Sequence, residues 1–194
     1  MPNFDFFNGL AEKWDSINPC NAEKIKIMLD LLFIKPDDKI LDVGTGTGIL
    51  IPFLLKKTSG KNITAVDGAE KMIEKAKQKH IDTAVNFIVS DIMECNFKTE
   101  SFNHIICYSI FPHLNDKQNA VRCFSELLTK DGLLSILHSE SKEAINRVHS
   151  AYQEVSSDSL KSPAAYIPLF NHAGLYEEIV LDNSEMYMLC CRKR

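Results

Sequence analysis

Apolar runs of about five residues alternate along this chain with longer stretches whose apolar positions recur every three or four residues. "KILDV", "NITAVD", "VNFIVSD" and "HIICYS" read as four strands, and "DGLLSILH" as a turn leading into a fifth. Ahead of the first strand, Asn21 is placed to cap a helix carrying Ile25, Met28, Leu29 and Leu32, which "KPDD" ends with a turn. A glycine-rich stretch then opens a helix to about Lys57. Ala69, Met72, Ile73 and Ala76 form the stripe of the next helix, and "AVRCFSELL" forms the helix before the fifth strand. Parallel neighbours need crossovers of this length, so the alternation predicts an α/β chain built on a mostly parallel sheet.

Beyond the fifth strand the pattern changes. In "LHSESKEAINRVHSAY", Ser139 or Ser141 can cap a helix from about 141 to 152, on which Lys142, Ile145, Asn146 and His149 share one mostly polar face. "EVSSDSLKSPAAYIPLF" reads as a mobile connection to a short helix starting near Pro163. "YEEIVLD" and "EMYMLCCRKR" are joined by "NS" with no room for a crossover helix, so they predict an antiparallel terminal hairpin.

Composition narrows the function classes. With 194 residues, 45% hydrophobic and 25% charged, the chain suits one domain with a sizeable core. A formal charge of -4 argues against nucleic acid or an anionic membrane as partner. The N-terminus lacks a basic, apolar leader pattern and no apolar run approaches the roughly 20 residues of a bilayer span, which points to the cytoplasm. Six cysteines without CxxC spacing indicate neither a zinc knuckle nor a disulfide framework.

"LDVGTGTGIL" sets Asp42 at the end of a buried strand and Gly44, Gly46 and Gly48 in the turn that enters a helix. Such glycines let a ligand approach the backbone, and the helix start offers unpaired N–H groups. A tight turn with no ligand would look the same. Two further acids bear on the choice: Asp67 ends the second strand nineteen residues after Gly48, and Asp91, followed by Ile92, ends the third. Ligands of open α/β sheets bind at that edge, and an acid in the second position can accept from both hydroxyls of a ribose.

These motifs together resemble the class I S-adenosylmethionine-dependent methyltransferases. "ILDVGTGTG" is similar to the family's first motif, "AVDGAEKMIEKA" to its ribose-binding motif, "VSDI" to its adenine-binding motif and "LLTKDGLLSIL" to its fifth-strand motif. The resemblance covers nearly the whole chain. It implies a single Rossmann-like doubly wound sheet of order 3-2-1-4-5-7-6, strand 7 antiparallel, with helices on both faces. It also implies one domain over residues 1–194, with 1–34 as a helical cap and 139–173 as a helical substrate or lid element. S-adenosylmethionine would have its methionine part held by Gly44, Thr45, Gly46 and Gly48, and its ammonium by Asp42, directly or through water. Asp67 would take the ribose, Asp91 the adenine amino group, and Met72 and Ile92 the ring faces, with Gly68 and Tyr108 also in contact. "FFNGLAEKWD" is similar to an N-terminal segment that folds over the cofactor, here suggesting Trp14 and Asp15. Gly68, where relatives often carry a larger residue, and Asn103, in place of a usual Asp, depart from the pattern. A nicotinamide dinucleotide reductase is the competing fold reading, but its GxGxxG loop puts the third glycine one residue later.

Methyl transfer by direct displacement needs alignment, water exclusion and, for a protonated acceptor, a base. His138 closes the fifth strand and His113 follows the fourth; either is a candidate base or a hydrogen-bonded loop residue. If the polar helix face covers the site, Asn146 and His149 join His138 in one cluster; otherwise that face is solvated. Tyr152, Tyr166 and Phe170, with Phe4, Phe6 and Phe7, are candidates for an apolar substrate wall. The acceptor is expected to be a small molecule, with no metal required and the protein a monomer or homodimer. A ligand- or metal-binding protein using His138 and His149 without turnover is the alternative.

Overall fold

The computed structural model describes residues 4–194, which divide into two compact units at Asn96 and Phe97. The first unit opens with three helices, α1 (Phe4–Leu10), α2 (Trp14–Ile17) and α3 (Ala22–Leu31). Asn21 caps α3 by accepting the Lys24 N–H at 3.1 Å, and Ile25, Met28 and Leu29 are buried. Strand β1 (Ile40–Val43) follows, then α4 (Ile51–Leu54), β2 (Ile63–Asp67), α5 (Glu70–Lys79) and β3 (Asn86–Val89). Here α4 is shorter than the expected helix to Lys57, the chain continuing in turns such as Lys57 N–H to Leu54 O at 2.8 Å. β1 pairs with β2 and β2 with β3, all parallel, setting Asp42 opposite Ala65 and Asp67 opposite Val89. β1 is buried throughout, and α5 covers the sheet with Met72, Ile73 and Ala76. Successive strand ends therefore carry the acids to one edge.

The second unit contains β4 (Phe102–Tyr108), α6 (Lys117–Leu127), β5 (Leu128–His138), α7 (Lys142–Ser150), α8 (Pro163–His172), β6 (Leu175–Asp182) and β7 (Tyr187–Lys193). β4 and β5 are parallel, while β7 runs antiparallel to both β5 and β6. β5 starts earlier than its expected turn. It runs through Asp131 and Gly132, where Asp131 has φ +61° and the pairing with β4 shifts register between Phe102 and His104. The Asp-Gly pair thus makes an irregularity inside the strand rather than its start. Phe111, Phe124 and Phe170 are fully buried core residues here. The seven strands stand in the order β3-β2-β1-β4-β5-β7-β6, as the family resemblance implies.

Candidate functional site

In the first unit, the glycine loop and the acids of β1 and β2 form one hydrogen-bonded assembly. Asp42 is buried and accepts the Thr45 hydroxyl at 2.7 Å. Burial, reinforced by the charge of Asp67 and opposed by the Thr45 bond, pushes its carboxyl up to about 7. Gly44, Gly46 and Gly48 have φ of 66°, 55° and 82°, left-handed values that a β-carbon would strain. The loop is tied to β2: Gly44 and Thr45 donate to Val66 O, and Gly46 donates to Asp67 Oδ2 at 2.8 Å. The other Asp67 oxygen accepts the Ala69 N–H, also at 2.8 Å. Burial raises the Asp67 carboxyl despite these two donors. Asp91 caps a 3-10 turn over Ile92–Glu94 by accepting the Met93 N–H at 2.9 Å, with Ile92 buried behind it.

The N-terminal helices lie against this loop. Trp14 Nε1 comes within 3.5 Å of where a β-carbon on Gly46 would stand. Asp15 accepts the Thr47 hydroxyl at 2.5 Å and Lys79 Nζ at 2.8 Å, and Lys79 also donates to Thr47 at 3.1 Å. Burial works against the Asp15 charge, but these bonds win and hold its carboxyl below the ordinary value. Met72, expected against an adenine face, is 1% exposed and packs with Ala11, Ala69, Phe7 and Trp14. His80 Nε2 lies 3.1 Å from Gly48 O, its imidazole shifted down by burial against that bond. Thr47, Lys79 and His80 were not singled out from the sequence. Lys79 had a signal: it lies seven residues beyond Met72, in register with the buried stripe of α5.

In the second unit His113, His138 and His149 converge. His138 ends β5 at 1% exposure, opposite Tyr187 in register and edge-on to its ring at 5.9 Å. Among the described residues neither of its ring nitrogens has a hydrogen-bond partner. Burial, then the nearby His113 and His149, bring its imidazole down to about 3. It is neutral at pH 7, and burial makes it a weaker base than an exposed imidazole.

His113 differs from His138 in having a carboxylate partner. It too is buried, and its Nδ1 lies 2.8 Å from Asp158 Oδ2. Burial lowers this imidazole while the Asp158 bond opposes the fall. The His149 ring is 4.7 Å from that of His113, and its Nδ1 meets the Asp158 carbonyl oxygen. Asn146 uses both ends of its amide on Leu160, donating to the carbonyl at 2.9 Å and accepting the N–H at 2.7 Å. The polar face of α7 therefore grips the 155–162 segment, and the stretch expected to be a mobile connection is fastened by it. Ser141, not Ser139, caps α7; Ser139 accepts the Tyr108 hydroxyl at 2.8 Å. Tyr166 is 3% exposed and edge-on to Phe111 at 5.1 Å, whereas Tyr152 is 43% exposed. Asp158 carried no sequence signal, because its loop has no periodicity to place it.

His138 makes stability pH-dependent. Its folded pKa is depressed below the ordinary 6.5, so the unfolded chain binds a proton that the folded chain refuses. The stabilisation is complete above pH 6.5 and is lost as pH falls from there toward 3. Urea unfolding should show about 2 kcal/mol less stability at pH 5 than at pH 7.5 from this group. His138→Gln should flatten the slope by that amount; an identical slope in the variant would assign the loss elsewhere.

Among the described residues no three His, Cys, Asp or Glu side chains converge as metal ligands, and no helix is long and apolar enough to cross a membrane. Residues 40–132 match a family described as a methyltransferase domain. The chain is 28% identical over 154 residues to demethylmenaquinone methyltransferase of Thermotoga maritima, covering 75% of this chain and 66% of that one. It is 30% identical over 131 residues to malonyl-[acyl-carrier protein] O-methyltransferase of Acetivibrio thermocellus, covering 66% of this chain and 46% of that one. The chain thus spans between about half and two thirds of the curated relatives' length. A solved chain from the complex of the Haloferax volcanii Trm112 methyltransferase activator with a methyltransferase shares the fold, with a TM-score of 0.81 at 18% identity, over 97% of this chain and 96% of that one. In strand order, sequence motifs and these relatives, the chain is similar to the class I S-adenosylmethionine-dependent methyltransferases.

Proposed function

We propose that the protein transfers a methyl group from S-adenosylmethionine to a small-molecule acceptor. The observation that carries this reading is the pair Asp42 and Asp67, two carboxyls raised by burial and joined through the Gly44–Gly48 loop. That donor set fits a ligand bringing positive charge and hydroxyl donors, as an ammonium, a sulfonium and a ribose do. It suits a diphosphate poorly, since two carboxylates would repel it. The loop backbone would hold the methionine part, Asp42 the ammonium, Asp67 the ribose hydroxyls, Asp91 the adenine amino group and Ile92 a ring face. When bound, the cofactor supplies an electrophilic methyl group on its sulfonium. The chain's part is to align the acceptor, keep water out and receive a proton where the acceptor carries one. For the last role His113 is the residue we assign, oriented through Nδ1 by Asp158. Asn146 and Tyr166 act indirectly, by shaping the segment between α7 and α8. The relatives' names span demethylmenaquinone and malonyl-[acyl-carrier protein], which supports an acceptor outside nucleic acid without choosing its reacting atom.

Binding of S-adenosylhomocysteine, which keeps the ammonium, tests the site. Burial raises the Asp42 carboxyl toward neutral pH, so a cation beside it will favour loss of any proton it holds. Calorimetry in buffers of different ionisation enthalpy, run from pH 6 to 8, should show proton release on binding that is abolished in Asp42→Asn. Binding without proton release would remove Asp42 from the ammonium site, and no binding at all would sink the cofactor assignment.

A further inference from the structure

Gly68 differs from the three loop glycines. Its backbone is not left-handed, so no turn geometry requires glycine there. What requires it is Phe4: a β-carbon on Gly68 would lie 2.1 Å from Phe4 Cε1 and 2.2 Å from Cζ, well inside contact distance. The phenyl ring occupies the place where a side chain at 68 would begin, immediately after Asp67.

Core packing does not account for the ring's position. α1 contains no buried residue, and Phe4 itself is only half-buried. A series of ties along α5 sets where the segment lies. Asn8 Oδ1 accepts the Lys71 N–H at 3.0 Å, Glu12 pairs with Lys75 at 2.8 Å, and Asp15 holds Lys79 and Thr47 as described above. These contacts run parallel to the helix that starts beside the ribose acid, and they bring the aromatic end of α1 to Gly68.

We propose that Phe4 is a cofactor-site residue: α1 delivers, beside Asp67, the apolar side chain that position 68 lacks, to lie against the adenosine part of the cofactor. The inference rests on the cofactor reading above. Aromatic side chains bind nucleobase faces through stacking, which asks only for a flat apolar surface in the right place. Glycine at 68 and phenylalanine at 4 are then one device in two pieces, and a larger residue at 68 can replace the pair.

Trp14 is the chain's one tryptophan, so its fluorescence reports on this segment directly. Titration with S-adenosylhomocysteine should show Phe4→Ala binding about tenfold more weakly than the unaltered protein. Gly68→Leu alone should also weaken binding, because leucine and the phenyl ring compete for one place. Combining Phe4→Ala with Gly68→Leu should restore affinity to within about threefold. Circular dichroism melts report folding separately, and Phe4→Leu provides a milder substitution. Unchanged affinity in Phe4→Ala overturns the proposal and leaves the cofactor reading intact. Weakened affinity that Gly68→Leu does not restore also overturns it, making Phe4 an anchor for α1 only. If the unaltered protein does not bind, both readings fall.

Discussion

Asp67→Ala will lower affinity for S-adenosylhomocysteine by about ten- to over a hundredfold, the largest binding effect expected of any substitution in the first unit. A charged acceptor facing ribose hydroxyls contributes roughly 1.5 to 3 kcal/mol, and its removal is felt in full because the group is largely shielded from water. The same carboxylate also organises the apo loop. Its two oxygens accept from Gly46 and Ala69, so alanine leaves both N–H groups unmatched as well. Asp67→Asn separates the two contributions, since its one remaining amide oxygen can serve the loop or the ligand but carries no charge. Calorimetry should therefore rank the unaltered protein above Asn and Asn above Ala. Equal isotherms for all three would refute the ribose role of Asp67.

The largest stability effect is expected at Phe111. Phe111→Ala should destabilise the protein by about 3 to 5 kcal/mol in urea, the usual range for truncating a buried aromatic. The ring is fully buried, edge-on to Tyr166 at 5.1 Å and tilted against Phe170 at 5.8 Å. Its loss removes the partner of both α8 aromatics at once, and the cavity can close only if α8 moves. Tyr152→Ala is the comparison: the residue is 43% exposed, and a loss of no more than about 1 kcal/mol is expected. A loss below about 1 kcal/mol at Phe111 would mean that the surroundings collapse to fill the space.

How much of this was legible in the chain differs from one region to the next. Strand identities and the stripe of α5 followed from periodicity, because period and burial are coupled wherever an element has one covered face. Asn21 and Ser141 could be proposed as caps for the same local reason. The acids at the ends of β1 and β2 were also readable, since turn geometry after a parallel strand is local. By contrast, β5 running through Asp131-Gly132 was missed, because a bulge and a turn use the same residues and only the partner strand decides between them.

The histidine region shows the other limit. Placing Asn146 and His149 on one face of α7 was correct, but what that face meets depends on residues nine to fourteen positions away in an aperiodic segment. Asp158 comes to His113 from 45 residues along the chain, and no local rule could bring them together. The weak basicity of His138 was hidden too: a strand-end histidine is an ordinary base until its burial is known, and burial belongs to the surrounding shell.

By itself, then, the sequence determined the α/β alternation, the order of motifs and the acids and glycines around the loop after β1, because each depends on contacts within a few residues. Only the tertiary structure decided that Asp15, Thr47 and Lys79 bind one another, that Phe4 sits on Gly68 and that His113 is held by Asp158. The reason is physical: hydrogen bonds and ring contacts between distant segments arise from the packing of whole elements, and packing is not encoded at any single position.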